Sequence, residues 1–192
     1  YVGLGFDVSV VSAVPGLPDL VFVANQSFPG LNSTGEIVGV CSRMYAKQRR
    51  NEVEVVEHYY RRCGFHTAEL PGTTFFEGTG DALWYPGRRF IVGGYGFRTE
   101  RAALEKLGEY FDVPMAIVEL VDPRFYHLDT CLSVLNEETA FFVPGAFSEE
   151  SERLLRALIP NLVPLPFSEA VEGLACNGHC PDGKHYIVHR TN

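Results

Sequence analysis

Hydrophobic and polar positions follow two different periods along this chain. A period near 3.6 residues predicts amphipathic helices over 51–63, 99–111 and 148–159. Thr99 and Ser148 are candidate N-caps, each followed by glutamate in the first turn. Each helix has one apolar face, so each is expected to pack one side against a core.

Shorter apolar stretches between the helices predict β-strands, and several of them end at turn residues such as those at 86–87 and 136–137. The predicted strands cover 1–12, 20–24, 74–76, 82–85, 89–92, 115–120, 132–135, 139–143 and 185–188. Strands and helices alternate, which predicts an α/β fold.

The same order of elements recurs along the chain, and polar side chains mark equivalent points. Asn25, Glu77, His127 and Asn177 are separated by 52, 50 and 50 residues. A fixed period of roughly 20 to 50 residues is typical of repeat or propeller architectures. The sequence therefore predicts ββαβ modules in a single domain over 1–192, which we expect to be incomplete at both ends.

Net charge, apolar stretches and cysteine count exclude some classes of partner and location for this chain. The 192 residues carry a net charge of −8, with one short basic run at 47–50, which argues against nucleic acid and anionic membrane as partners. No stretch has the roughly 18 to 20 uncharged apolar residues of a membrane-spanning helix. Five cysteines, an odd number, in a chain that is 46% hydrophobic predict a reduced, cytoplasmic protein.

Two pairs of polar residues carry candidate chemistry. On a strand, residues two apart share a face, so His127 and Asp129 should point the same way and Leu128 towards the packing side. Glu77 and Asp81 flank a Gly-Thr-Gly turn, where glycine allows close approach to the backbone. The alternatives to a functional site are that His127 and Asp129 form a hydrogen-bonded pair with a purely structural role, and that Glu77 and Asp81 belong to an acidic surface turn. The shared position in successive repeats favours a cluster that binds a multi-nitrogen cation beside a titratable histidine.

A metal site is a further alternative near the end of the chain. Zinc needs four converging ligands, but residues 179 and 180 on a hairpin would project to opposite faces. The pattern favours a plain hairpin over 172–192, and we predict no metal and no other cofactor. The residues considered are Cys176, His179, Cys180 and His185.

Four segments together resemble the guanidine-modifying pentein superfamily, which includes dimethylarginine dimethylaminohydrolase, arginine deiminase, arginine dihydrolase and the amidinotransferases. The order and spacing of the segments match over most of the chain. With Asn25, the first segment resembles the arginine dihydrolase branch more than the dimethylarginine branch, which usually carries Asp there. The segments are LPDLVFVAN at 17–25, FEGTGDAL at 76–83, GYGFRT at 94–99 and YHLDT at 126–130.

The resemblance implies a five-module α/β propeller with the active site on its pseudo-fivefold axis. It also implies a cysteine that attacks the guanidinium carbon and forms a covalent thiouronium intermediate. By position, Glu77 and Asp129 would bind the guanidinium nitrogens, and His127 would be the general acid and base.

The resemblance implies further contacts to a small guanidino substrate. Asn25 and Arg49 would position its amino-acid end. Asp81 would support Glu77 and the adjacent turn, and Arg98 is either a second carboxylate clamp or a helix-entry residue.

The nucleophile of this family lies in a Gly-Gly-x-x-Cys type segment near the C-terminus, and the chain stops at residue 192 before such a segment. Cys176 neighbours Asn177 and is expected to point into the packing layer. Cys131 shares the face of the predicted site but is poorly placed to attack, and Cys41 and Cys63 are expected in the core. We therefore expect this chain alone to be inactive.

Three hypotheses follow from the residues and the resemblance. The first is a hydrolase of arginine or a related guanidino compound, with an amidinotransferase as a variant of the same chemistry. The second is a non-catalytic binding protein on the same scaffold, and the third is a truncated protein without activity. Glu77, His127 and Asp129 favour the first. The exact substrate and a homo-oligomeric state are left open.

Overall fold

Three ββαβ modules organise the chain in a computed structural model, which describes residues 1–189. In each module two antiparallel strands are followed by a helix, and the third strand pairs in parallel with the second. The predicted α/β class is confirmed. Residues 1–189 form three small sheets and no closed barrel, so the five-module ring stays a prediction.

The first module contains strands that the sequence pattern does not predict. Pro29 and Gly30 fall inside its first strand, and both residue types are rare in strands, which hides the β pattern. This strand lies at the edge of its sheet, where proline is tolerated. The elements are β1 Ser27–Leu31, β2 Ile37–Cys41, α1 Arg50–Arg62 and β3 His66–Glu69.

The second and third modules follow the prediction more closely. Ser148 is confirmed as an N-cap, because its side chain accepts a hydrogen bond from the Ser151 amide at 3.4 Å. Thr99 is wrong as an N-cap, since Glu100 takes that position. The second module has α2 Gly78–Asp81, β4 Ala82–Trp84, β5 Ile91–Tyr95, α3 Arg101–Phe111 and β6 Met115–Glu119. The third has β7 Leu132–Val134, β8 Thr139–Phe142, α4 Glu149–Leu158 and β9 Asn161–Pro164, and α5 Phe167–Gly173 follows.

Several predicted strands are wrong. The segment 20–24 forms two 3₁₀ turns, Pro18–Val21 and Val23–Gln26, because Pro18 suits a first helical position and no strand pairs with this segment. The segment 1–12 contains one 3₁₀ turn and no strand. Only isolated bridges form within 74–76 and 172–189, and residues 190–192 of the predicted hairpin lie outside the described part.

The buried core lies between the modules, and the predicted site residue His127 directly precedes one of its members, Leu128. Leu128 is fully buried among side chains of the second and third modules, such as Val118 and Phe142. A second cluster joins the first and second modules around Phe28 and Phe111. Across residues 1–189, no helix has both the length and the apolar character needed to cross a membrane.

Candidate active site

A one-turn helix precedes the first strand of each module, and these three turns carry the predicted site residues. Asn25 lies in the first turn, Glu77 and Asp81 begin and end the second, and His127 begins the third. The period near 50 residues is therefore the spacing of these turns rather than of strands. The turns are Val23–Gln26, Gly78–Asp81 and Leu128–Thr130.

His127 lies between two buried carboxylates. Its Nδ1 is 3.0 Å from Asp81 Oδ2 and its Nε2 is 3.3 Å from Glu77 Oε2. Burial lowers the pKa of His127, but the charge and hydrogen bonds of Asp81 and Glu77 outweigh burial and raise the pKa to about 10. The imidazole is therefore charged at neutral pH, with one ring N–H donating to each carboxylate.

Asp81 orients the imidazole. Its Oδ1 accepts the Leu128 amide at 3.0 Å, and its Oδ2 accepts the Thr99 hydroxyl at 2.7 Å as well as His127. The structure places Asp81 against His127. Asp81 is linked to Glu77 through His127 and through Thr99, whose hydroxyl accepts the Glu77 amide at 2.9 Å. Thr99 is therefore a site residue, although the sequence pattern predicts it only as a helix cap.

Glu77 has no exposed surface, and its carboxylate lies against His127 Nε2. Burial opposes its ionisation, but the hydrogen bond and charge of His127 hold the pKa of Glu77 below its usual value. Its Oε1 accepts the Tyr45 amide at 2.9 Å, and Arg98 Nη1 approaches Oε2 at 3.4 Å. The Arg98 guanidinium also lies 4.7 Å from the centre of the Tyr126 ring.

Arg49 holds Asn25 in one orientation. Arg49 Nη1 donates to Asn25 Oδ1 at 3.0 Å, so Asn25 Nδ2 faces His127 Nε2 at 3.4 Å. The other Arg49 nitrogens donate to Glu52 Oε2 at 2.9 Å and to the Asp19 carbonyl at 3.1 Å. Only 6% of Arg49 is exposed, so it lies behind Asn25 with every nitrogen used inside the protein.

Asp129 lies beside this cluster and faces a cavity of about 570 Å³. Burial raises the pKa of Asp129 to about 7, although the positive charge of His127 opposes the rise. Asn177 lines the same cavity and donates from Nδ2 to the Asp129 carbonyl at 3.2 Å. The cavity places Asp129 next to space that a small molecule can enter.

Three of the five thiols are buried in the core, and none is disulfide-bonded. Burial raises the pKa of Cys41 and of Cys176 to about 12 and places the pKa of Cys131 well above its usual value. The prediction that Cys131 shares the face of the site is wrong, because the turn directs its side chain into the core. Cys63 is exposed at the end of α1, so its predicted burial is also wrong.

Three of the four residues considered as zinc ligands lie apart in the structure, either in the core or against other side chains. Cys176 is buried in the core, the Tyr1 hydroxyl lies 2.9 Å from His179 Nδ1, and His185 Nδ1 lies 2.6 Å from Asp182. Within residues 1–189, no group of three or more histidines, cysteines, aspartates and glutamates is arranged to hold a metal ion.

Named relatives match most of the length of this chain. No family model matches the sequence. The chain is 34% identical over 172 residues to N(G),N(G)-dimethylarginine dimethylaminohydrolase of Mycobacterium tuberculosis, covering 88% of this chain and 53% of the relative. It is 37% identical over 153 residues to the bifunctional arginine dihydrolase/ornithine cyclodeaminase ArgZ of Synechocystis sp., covering 80% of this chain and 21% of the relative.

A solved structure extends the likeness to the fold. The crystal structure of the N-terminal domain of ArgZ, in a cysteine-to-serine variant bound to substrate, matches with a TM-score of 0.83 and 34% identity over 91% of this chain and 63% of that one. The chain is thus a homologue of dimethylarginine dimethylaminohydrolases and arginine dihydrolases, and its fold matches structures of the pentein family. It spans about half the length of the mycobacterial relative.

Proposed function

We propose that the full-length protein hydrolyses the guanidino carbon of arginine or a related compound. The observation that carries this proposal is the position of His127, whose two ring nitrogens face the buried carboxylates of Asp81 and Glu77. A charged imidazole held in this way can donate a proton to a leaving amine. The names of the relatives, arginine dihydrolase and dimethylarginine dimethylaminohydrolase, support the same chemistry.

Glu77 and Asp129 bind the substrate guanidinium in this proposal. Paired carboxylates suit a planar cation with several N–H donors, and a bound cation would lower the raised pKa of Asp129. Arg98 leaves Glu77 when the substrate arrives and pairs with the substrate carboxylate. Asn25 contacts the amino-acid end, with Arg49 acting through it.

The reaction proceeds in two halves. A cysteine thiolate attacks the guanidinium carbon, His127 protonates the departing amine, and a covalent thiouronium remains. Water then adds to the same carbon with loss of a proton to His127, and the cysteine leaves as a thiolate. One water is consumed and one amine is released.

The attacking cysteine in this proposal is not one of the three buried thiols. Attack requires the thiolate, and burial disfavours the thiolate form of Cys41, Cys131 and Cys176. We place the nucleophile in a Gly-Gly-x-x-Cys segment of the full-length protein. The resemblance supports this placement.

Activity of the full-length protein tests the proposal. We expect release of ammonia from arginine, or of methylated amine from dimethylarginine, and a loss of at least about 10²-fold for His127→Gln because the proton donor is removed. Glu105→Gln removes a charge from an exposed pair on α3 and should leave turnover unchanged. Retained turnover in His127→Gln would contradict the proposed acid–base role.

Binding separates the enzyme from a binding protein. In a full-length protein whose nucleophile is changed to serine, Glu77→Gln and Asp129→Asn should each weaken arginine binding by about 2 to 4 kcal/mol, because each leaves a buried charge pair half made. Isothermal titration calorimetry measures this difference. Equal affinity in wild type and both variants would remove these residues from any substrate role and favour the binding-protein alternative.

A further inference from the structure

A buried carboxylate outside the predicted site lies directly behind Asn25. Glu52, in the first turn of α1, is 1% exposed, and its Oε2 accepts hydrogen bonds from Arg49 Nε at 2.9 Å and from Gln26 Nε2 at 2.6 Å. The same Arg49 guanidinium holds Asn25 Oδ1. An unbroken series of contacts therefore runs from Glu52 through Arg49 and Asn25 to His127.

The cost of this arrangement indicates a role beyond stability. Glu52 Oε1 and Gln26 Oε1 are buried acceptors without a hydrogen-bond partner within residues 1–189. Burying an acceptor without a hydrogen-bond partner costs folding free energy. A buried ion pair is also often less stabilising than apolar side chains of the same volume. Conflicts of this kind between local stability and structure are typical of functional sites.

We propose that Glu52 is a positioning residue that acts through Arg49 and Asn25 on His127. Glu52 fixes the direction of the Arg49 guanidinium, and that guanidinium takes the oxygen of Asn25. The Asn25 amide therefore turns its NH₂ group towards His127 Nε2 at 3.4 Å, and this contact is not a hydrogen bond while the imidazole is charged, because both groups are donors. Glu52 also balances the positive charge of Arg49, which would otherwise oppose the positive charge on the imidazole.

Other charged groups near His127 stay unchanged when Glu52 alone is altered. Asp81 and Glu77 contact the imidazole directly, Asp129 lies on the same turn, and Arg98 reaches it through Glu77. A change in the titration of His127 on altering Glu52 thus reports the loss of the Glu52 charge and of its hold on Arg49.

Nuclear magnetic resonance titration of the histidine side chains in the full-length protein tests the proposal. The His127 signal is assigned by its loss in His127→Gln. In Glu52→Gln the shape is kept and the charge removed, so the pKa of His127 should fall by about one pH unit, the scale for losing one charge that does not touch the imidazole at an effective dielectric constant near 20. Glu54→Gln makes the same change at an exposed position of α1 and should leave the His127 titration unchanged.

The role of Glu52 in catalysis rests on the proposed function, in which His127 is the general acid and base. The titration of His127 nevertheless tests the inference separately from activity. Equal His127 titration in Glu52→Gln and Glu54→Gln overturns it, whether or not the protein hydrolyses arginine. If Glu52→Gln fails to fold, Glu52→Asp replaces it: the retracted charge should give a smaller fall in the same direction, and an unchanged titration overturns the inference. With arginine as substrate, the basic limb of the pH profile should move to lower pH by the same amount.

Discussion

At the scale of single residues, the proton on His127 makes the stability of the fold depend on pH. The pKa rises from about 6.5 in an unfolded chain to about 10 in the folded protein, so the folded state keeps a proton that the unfolded chain loses. This stabilisation is fully present below pH 6.5 and is lost as the pH rises through 10. Between pH 7.5 and 9 we expect the free energy of unfolding to fall by up to about 1.4 kcal/mol per pH unit.

Urea unfolding at several pH values in that range measures the slope. The range lies above the titration of Asp129, near 7, but the buried thiols ionise in the unfolded chain near pH 9 and add to the slope in its upper part. His127→Gln cannot take up the imidazole proton and should show a shallower slope than wild type, most clearly below about pH 8. The same slope in wild type and His127→Gln would show that the proton resides elsewhere.

Asp81 supports the charge of His127 more directly than any other group. Asp81→Asn keeps the hydrogen-bonding shape but removes the charge 3.0 Å from Nδ1, so the pKa of His127 should fall by about 1 to 3 pH units. Histidine titration by nuclear magnetic resonance measures the fall. Glu105→Gln, at an exposed ion pair, serves as the control. A pKa near 10 in Asp81→Asn would mean that Glu77 alone holds the proton.

At the scale of elements, α2 fits its place only because two of its four residues are glycines. Gly78 has φ of +57°, and a Cβ there would lie 2.7 Å from the Ala24 carbonyl oxygen, so Gly78→Ala should lower the free energy of unfolding by about 1 to 3 kcal/mol.

A Cβ on Gly80 would collide with the Asn25 amide nitrogen and lie 3.4 Å from His127 Nδ1. Gly80→Ala should therefore reduce turnover more than stability.

Urea unfolding and arginine turnover in the full-length variants separate these two effects. Gly3→Ala adds a methyl group in open space and should change neither quantity. Wild-type turnover in a folded Gly80→Ala variant would show that the position of Asn25 does not matter for the reaction.

The same turns explain what the sequence could and could not predict at this scale. Amphipathic periodicity places α1, α3 and α4 within two residues of their bounds, because their faces pack on a core. The segment 20–24 has equally apolar residues but forms turns, and Val21 is 75% exposed because no strand pairs with it. The spacing predicts Asn25, Glu77 and His127 as site residues. Thr99 and Glu52 carry no such signal, because their roles depend on side-chain contacts within the second and the first module.

At the scale of the whole molecule, the modules share one core beneath the site. Leu128 follows His127 in the chain, is fully buried, and packs against Gly94 of the second module. Leu128→Ala should lower the free energy of unfolding by about 2 to 5 kcal/mol, whereas Leu154→Ala, at a side chain that is 40% exposed, should cost less than about 1 kcal/mol. Urea unfolding measures both, and similar losses would contradict a shared core at Leu128.

The contact between Asn25 and His127 joins residues 102 positions apart along the chain. Each module can close its own sheet from nearby residues, but this contact requires that the first and third modules have already docked. Refolding should therefore produce native helix content before it produces the contact between Asn25 and His127. Formation of this contact would then mark the last step of assembly, and partly folded forms would lack the complete site.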